Sequence, residues 1–355
     1  MLSHQFIDRH LLHKSALSGL LYPLSLANSA WQSRRRKRLS AQAWHPDCKV
    51  LSIGNITSGG SGKTPLCIYL AELLRDSGLQ IGISHRGYRG ALEHTPALIS
   101  DGQQLLYDVR SAGDEAYLLA QRLTGVPIVA GRKRVAAVSL LLASFPDIQA
   151  VILDDALQHL RIARDLDIVC FDAETGIGNG WVIPAGYLRE PLSAIDPRSL
   201  IVVTHKGANT EPTGWEGLLS RAGGLVVHCY LQGRAWVNAD GKAVEAAQVK
   251  GRRAMLISGI ANPDSFERSV EAAGVNWMHH LRYPDHYAFA DGKELAKIAG
   301  LAVKNGVEWL LCTEKDLAKL SLHKDLRDKL LALRIGLHCP DEAKLKDWVW
   351  ARLGL

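Results

Sequence analysis

The sequence lacks several features that mark specialised classes of protein. Its 6 cysteines are scattered and form no Cys-x-x-Cys pair, so a disulfide-stabilised scaffold and a structural zinc site are both disfavoured. No apolar run reaches the about 20 residues that a helix needs to cross a bilayer unaided. There is no repeat of about 20 to 50 residues and no low-complexity tract. These absences favour an ordinary folded protein in a reducing compartment.

The composition is close to the average for folded proteins. Of the 355 residues, 47% are hydrophobic and 22% are charged, which argues against wholesale disorder and against a multi-span membrane protein. At about 150 residues per domain, the length predicts about two domains. The net charge is +6, and the run Arg34–Arg38 is wholly basic. Such a run is typical of a solvated linker, a nucleic-acid contact or a segment attracted to anionic lipid.

The segment before the basic run is apolar but interrupted. Residues 11–31 include Lys14 and Pro23, so we expect this segment to lie in the membrane interface rather than to cross the bilayer. The alternatives are an ordinary packed helix and a cleaved signal peptide with small residues at 27–30. The basic run that follows argues against export. We therefore predict a membrane-associated helix and basic segment over residues 1–38.

Apolar strands alternate with helical segments along the rest of the chain. This pattern predicts an α/β fold with a mostly parallel sheet covered on both faces. Residues 196–224 are irregular, and we place a domain boundary there. The prediction is a P-loop NTPase core over 39–224 and a smaller C-terminal α/β domain over 225–355 that closes over a shared cleft. The predicted strands are Lys49–Ile53, Gln80–Ser84, Pro127–Ala130, Ala150–Leu153, Ile168–Phe171, Leu200–Thr204, Ala254–Ile257 and Trp309–Thr313.

The strongest motif is the glycine-rich segment Gly54–Thr64, which lies between a predicted strand and a predicted helix. Its glycines allow backbone N–H groups to face phosphates, Lys63 can reach the β and γ oxygens, and the Thr64 hydroxyl can bind Mg²⁺. The segment predicts binding of a nucleoside triphosphate; the alternative is a flexible turn. The predicted nucleotide-binding residues are Thr57, Ser58, Gly59, Gly60, Ser61, Gly62, Lys63 and Thr64.

Three further acidic positions and one histidine are candidates for chemistry. Asp154 and Asp155 end an apolar strand, where carboxylates can bind Mg²⁺ near the phosphates, unless they only cap a helix. Asp114 begins a helical stretch and is either a helix-end carboxylate or the base that a kinase needs near an acceptor hydroxyl. His286 lies in a polar turn and is either an ordinary loop residue or a group that tunes that base.

Taken in order, these motifs resemble the bacterial tetraacyldisaccharide 4'-kinase family of lipid A biosynthesis. The resemblance extends from the apolar N-terminal segment to at least Asp316, and it includes Thr57 in place of the usual first glycine of the phosphate loop. The motifs that carry it are the phosphate loop followed by Pro65, Gly113-Asp114-Glu115, Asp154-Asp155 with Gln158-His159, Pro184-Ala185-Gly186 to Leu188-Arg189-Glu190-Pro191, Pro284-Asp285-His286 and Thr313-Glu314-Lys315-Asp316.

The resemblance implies an enzyme that uses ATP and Mg²⁺ to phosphorylate the 4'-hydroxyl of an acylated glucosamine disaccharide 1-phosphate, giving lipid IVA. It implies phosphate handling by Lys63, metal binding by Thr64, Asp154 and Asp155, and proton transfer by Asp114 with His286. It also implies a peripheral or monotopic protein on an anionic membrane, at the cytoplasmic face of the bacterial inner membrane. We expect no nucleic-acid partner and no obligate protein partner.

Two other functions remain open from the sequence. A GTPase or metallochaperone-type nucleotide switch would also use a phosphate loop, although the sequence has no Cys/His ligand cluster. A membrane- or nucleic-acid-binding module would use the basic run, and it would leave the phosphate loop unexplained.

Overall fold

The computed structural model describes residues 11–57, 59–206, 219 and 224–354. In this part of the chain, 13 strands form one sheet in the order β11-β10-β12-β13-β8-β7-β6-β1-β5-β2-β4-β3, with β9 paired to β8. The strands are β1 (Lys49–Gly54), β2 (Ile81–His85), β3 (Ala97–Ser100), β4 (Ile128–Ala130), β5 (Ala150–Leu153), β6 (Leu166–Asp172), β7 (Leu200–His205), β8 (Leu225–Asn238), β9 (Ala243–Val244), β10 (Ala254–Ser258), β11 (Trp277–Arg282), β12 (Trp309–Thr313) and β13 (Leu330–His338).

Helices connect most of these strands. They are α1 (Ala16–Ser40), α2 (Lys63–Asp76), α3 (Val109–Ala112), α4 (Asp114–Arg122), α5 (Arg134–Ser144), α6 (Ala246–Val249), α7 (Pro263–Ala272), α8 (Gly292–Lys304), α9 (Glu314–Leu320), α10 (Lys324–Arg327) and α11 (Glu342–Leu353). The predicted mostly parallel α/β fold is confirmed, and each predicted strand overlaps an observed one.

The central strand β1 is apolar on both faces because helices cover both sides of the sheet. Leu51 packs in the same cluster as Leu66 of α2. Its neighbour Val50 packs with Val138 and Leu141 of α5 in a different cluster. Successive side chains of a strand point to opposite faces, so these two clusters lie on the two sides of the sheet.

The long strand β8 joins two halves of the sheet: the first half contains β1 to β7, and the second half contains β10 to β13. Its first part runs parallel to β7, up to the pair His205 and Tyr230. From Tyr230 onward it runs antiparallel to β13, which pairs His338 with Tyr230. Strands β10 and β12 run parallel to β13, so their carboxyl ends point toward the carboxyl ends of β1, β5 and β7. The division into domains at residues 224 and 225 stays a prediction within this continuous sheet.

The N-terminal helix α1 is attached to the body of the protein by a few specific contacts. Ser25 donates a hydrogen bond to the Val182 carbonyl (2.6 Å) and accepts one from Ala185 N (3.0 Å). The Tyr22 ring lies 4.5 Å from the Trp181 ring, centroid to centroid. Within the described residues, no helix combines the length and the apolar character needed to cross a bilayer. The apolar side chains of α1 that remain exposed include Leu20, Leu24 and Trp31.

Candidate active site

The phosphate loop leaves β1 and enters α2 through a left-handed residue. Gly62 has φ 74°, and a Cβ atom there would lie 2.7 Å from the Thr204 side chain, so the position requires glycine. Asn55 stabilises the loop from within, because its Nδ2 donates to the Gly59 carbonyl at 3.3 Å and to Thr57 Oγ1 at 3.4 Å. Ser58 lies outside the described residues.

Lys63 is positioned between the phosphate loop and the acidic end of β5. Its Nζ lies 3.4 Å from Asn55 Oδ1 and 3.5 Å from Asp155 Oδ1. The structure therefore brings together Lys63 and Asp155, which are far apart in the sequence. Lys206, just after β7, donates to the Gly60 carbonyl at 2.8 Å and pairs with Asp172. Lys206 was missed by the sequence analysis, since a lone lysine after a strand carries no signal.

The paired acids Asp154 and Asp155 follow β5 and lead into turns, not into a helix. The alternative that they cap a helix is therefore wrong. Asp154 is buried, and this burial raises the pKa of its carboxyl above the ordinary value. Its Oδ1 accepts from Asp155 N at 2.9 Å, while Arg134 donates to its carbonyl. Asp155 has φ 46°, an uncommon conformation for a residue with a side chain and one found often at functional sites.

Asp114 and His286, 172 residues apart, meet directly. His286 Nδ1 lies 2.9 Å from Asp114 Oδ2 and 3.1 Å from Oδ1. Burial would raise the pKa of Asp114, but the hydrogen bond with His286 and the charges of Lys315 and Lys319 outweigh it and leave the pKa below its ordinary value. The same hydrogen bond raises the pKa of His286, against the effect of burial.

A second contact between the halves involves Glu115, the neighbour of Asp114. Lys315 Nζ pairs with Glu115 Oε1, and His85 Nε2 lies 3.2 Å from Oε2. Burial opposes ionisation of Glu115, yet the charge of Lys315 and the hydrogen bond with His85 hold its pKa well below the ordinary value. Lys315 belongs to a motif that the sequence shows, but no sequence pattern indicates that Glu115 is its partner.

A cavity of about 280 Å³ connects the phosphate loop with the second half of the sheet. The predicted nucleotide-binding residues Gly60–Thr64 line one side, and Glu115 and Lys315 line the edge. Apolar residues of the second half provide another wall: Leu231, Ile260, Phe266, Leu333 and Ile335. Thr57 and Gly59 support the loop without lining this cavity. The arrangement suits a ligand with a charged end at the loop and an apolar or aromatic end against the far wall.

Comparison with known proteins shows which family the chain resembles. A model of the tetraacyldisaccharide-1-P 4'-kinase family matches residues 17–354. The chain belongs to this family. Among similar kinases, the tetraacyldisaccharide 4'-kinase of Pelobacter propionicus is 34% identical over 343 residues, covering 96% of this chain and 92% of the relative. That of Azoarcus sp. is 39% identical over 277 residues, covering 76% of each chain.

The fold agrees with a solved member of the family. A crystal structure of LpxK from Aquifex aeolicus, described as a complex with ATP, superposes with a TM-score of 0.75. The sequences are 27% identical, and the match covers 95% of this chain and 99% of the other. Family membership makes the protein a kinase, so the interpretation as a GTPase or metallochaperone-type switch is disfavoured.

Proposed function

We propose that the protein transfers the terminal phosphate of ATP to the 4'-hydroxyl of tetraacyldisaccharide 1-phosphate, as the names of its relatives indicate for them. One observation supports this most: the Asp114–His286 pair lies directly beside a residue of the cavity that the phosphate loop lines. Glu115, the residue after Asp114, lines the cavity that Gly60–Thr64 also line. A proton acceptor is therefore close to a place that can hold a triphosphate.

The side chains near the loop fit a bound Mg²⁺. Thr64 offers a hydroxyl, Asp154 and Asp155 offer carboxylates, and such hard oxygen donors are the ligands that Mg²⁺ prefers. When bound, the ion would offset negative charge on the phosphates. The ammonium of Lys63, 3.5 Å from Asp155, would place a further positive charge beside the transferred group.

The Asp114–His286 pair is proposed to take the proton of the acceptor hydroxyl. Asp114 alone is a weak base because its pKa is lowered. His286, whose pKa is raised above its ordinary value, holds a proton more readily, and Asp114 stabilises the imidazolium that results. Since phosphate transfer relies mostly on positioning and charge neutralisation, the pair would work together with the phosphate loop.

A basic cavity beside α1 is proposed to receive the charged head of the acceptor. It has a volume of about 890 Å³ and is lined by Arg35 and Leu39 of α1 and by basic residues of the body. Burial and neighbouring arginines lower the pKa of His159 in its wall to about 4, so this ring is neutral at physiological pH. The basic residues that the body contributes are Arg132, Lys133, Arg134 and Arg161.

The acylated substrate requires access to a membrane, and α1 supplies an apolar surface for it. Leu20 is 76% exposed and Leu24 is 59% exposed, and the basic run Arg34–Arg38 follows on the same helix. Apolar burial and attraction to anionic lipid act together on such a helix. We propose peripheral binding at the cytoplasmic face of the inner membrane.

Replacing both Leu20 and Leu24 with glutamate should release the protein from anionic liposomes in a flotation assay, because charged side chains lose the apolar burial. Val303, on α8 and 74% exposed, provides the control: Val303→Glu should leave flotation unchanged. Unaltered flotation of the double variant would contradict a role for α1 in membrane binding.

The activity itself is tested by following labelled phosphate from the γ position of ATP into purified tetraacyldisaccharide 1-phosphate. We expect label in the lipid, dependence on Mg²⁺, and little use of ATP when the lipid is omitted. Nucleotide hydrolysis at the same rate with and without lipid, with no label transferred, would contradict the proposal and return attention to a nucleotide switch.

A further inference from the structure

We propose that Lys319 is a positioning residue, which holds Asp114 and His286 in their reactive arrangement through a closed ring of polar contacts. The ring consists of Asp114, His286, Gly259, Asp316 and Lys319. Lys319 and Asp316 lie on α9, one turn apart. This inference rests on the proposed function of the Asp114–His286 pair, and it adds to that pair a cation and a buried acid that connect it to the second half of the sheet.

The first side of the ring joins Lys319 to both acids. Its Nζ lies 3.0 Å from Asp316 Oδ1 and 3.5 Å from Asp114 Oδ2, as ion pairs rather than well-aligned hydrogen bonds. Its side chain is only 9% exposed, and its Nζ stands 5.6 Å from the centre of the Phe289 ring. A buried charge needs compensation by neighbouring charges, so Lys319 and the two acids depend on one another.

The second side of the ring joins Asp316 to the loop that carries His286. Asp316 is fully buried, and its Oδ2 accepts from Gly259 N at 3.0 Å and from Thr313 Oγ1 at 2.7 Å. The carbonyl of the same Gly259 accepts from His286 N at 3.0 Å. Because one residue contacts both Asp316 and His286, a shift of Asp316 moves the backbone that places the imidazole.

The ring is closed by the hydrogen bond between His286 Nδ1 and Asp114. His286 has φ 59°, which an ordinary residue adopts only when its surroundings hold it there. A functional group held by several independent contacts keeps its geometry during the reaction. The ring thus gives a physical reason for the unusual backbone at His286.

Other charged groups surround the pair and must be considered with Lys319. Glu115 on α4 is paired with Lys315 and His85. Asp285 lies next to His286, with its Oδ2 3.7 Å from His286 Nε2. Lys315 is thus engaged by Glu115, whereas Lys319 is the lysine that contacts the Asp114 carboxylate directly. Loss of the Lys319 charge leaves Asp114 and Asp316 as two neighbouring anions without their shared cation.

The test uses two variants of the 355-residue chain with opposite expected effects. Lys319→Met removes the cation, so the Asp114–His286 pair should bind its proton more tightly and the titration midpoint of His286 should rise. Asp316→Asn removes the anion that competes with Asp114 for Lys319. Lys319 then interacts with Asp114 alone, so the titration midpoint of His286 should fall. The midpoint is measured by NMR on ¹³C-labelled histidine, with the signal assigned by His286→Asn. Lys297→Met, at an exposed position of α8, is the matched control and should leave it unchanged.

Kinetics provide the second measurement. We expect Lys319→Met to lower kcat by about 10-fold or more, with an unchanged KM for ATP, and Lys319→Arg to restore part of the loss. The proposed ring would be contradicted if the His286 midpoint shifted in the same direction in Lys319→Met and Asp316→Asn. It would also be contradicted if the midpoint did not shift and kcat stayed near that of the unmodified protein. Absence of any kinase activity in the unmodified protein would refute the proposed function, whereas the NMR midpoints would still decide whether the ring exists.

Discussion

Replacement of Lys63 by alanine is expected to lower phosphate transfer by about 100- to 1,000-fold, the usual cost of losing one fixed group that stabilises developing charge. The ammonium lies 3.4 Å from Asn55 Oδ1 and 3.5 Å from Asp155 Oδ1, at the start of α2. Without it, the negative charge of the phosphates would face Asp155 with less compensation. The loss should appear mainly in kcat, measured with labelled ATP and the acylated disaccharide.

Lys49 provides a matched control for this variant. It lies at the beginning of β1 and pairs with Asp165 at 3.1 Å, at the opposite end of the strand from the phosphate loop. Lys49→Ala should retain near-normal activity, and both variants should give the far-UV circular dichroism of the unmodified protein. Normal turnover of Lys63→Ala would contradict the assignment of the phosphate loop.

Replacement of Asp114 by alanine is expected to lower turnover by at least about 100-fold, the usual contribution of general base catalysis, because the Asp114–His286 pair acts as that base. The variant also leaves His286 without the carboxylate that raises its pKa, so the pair could no longer hold the proton. ATP binding should be retained, because Asp114 is not among the residues that line the cavity beside the phosphate loop. Binding is measured by calorimetry and turnover by phosphate transfer.

Asp114→Asn sharpens this experiment, since the amide keeps the size of the side chain but cannot carry negative charge. A similar loss in both variants would assign the effect to charge rather than to packing. Asp76→Asn, at an exposed acid that ends α2, is the control and should have normal turnover. Near-normal turnover of Asp114→Ala would move the role of base away from the Asp114–His286 pair, with Asp155 the first residue to test.

The pH dependence of turnover should report the same pair. His286 must be neutral before it can accept a proton, and its pKa lies above the ordinary value. Turnover in the unmodified protein should therefore rise with pH through that raised pKa, and Asp114→Asn should move the rise to lower pH. Ionisation of Asp114 itself, at a pKa below its ordinary value, would affect turnover only in strongly acidic solution.

The central part of the fold could be predicted from the sequence because its strands are short apolar runs between turns. β1, β5 and β7 are covered on both faces, so nearly every side chain in them is apolar and the pattern is clear. The phosphate loop was equally visible, since its glycines and Lys63 are required by the backbone and by the charge of the ligand.

Strands with exposed or polar positions were missed. In β8 the central residues Gln232, Gly233 and Arg234 are exposed, and the strand changes partner from β7 to β13 near them, so no single period describes it. The edge strand β11 contains His279 and His280 and shows no apolar run. The helix α11 was also missed.

The candidate site shows the limit of sequence spacing. The sequence allowed His286 to tune the base Asp114 only if two domains closed over a shared cleft, and no sequence pattern showed that the two side chains touch. Their contact depends on the way β8 turns the second half of the sheet toward the first, and no local pattern encodes that geometry. The pairing of Glu115 with Lys315, and the contact of Lys319 with both acids, arise from the same long-range packing.

The attachment of α1 has a consequence for how the molecule stands at a surface. Ser25 forms two hydrogen bonds with the segment around Val182, and these bonds fix the orientation of the helix relative to the sheet. A membrane that binds α1 would therefore also set the tilt of the sheet and its distance from the membrane surface. The protein would then approach each lipid substrate in nearly the same orientation, and its search for substrate would be confined to the two dimensions of the membrane.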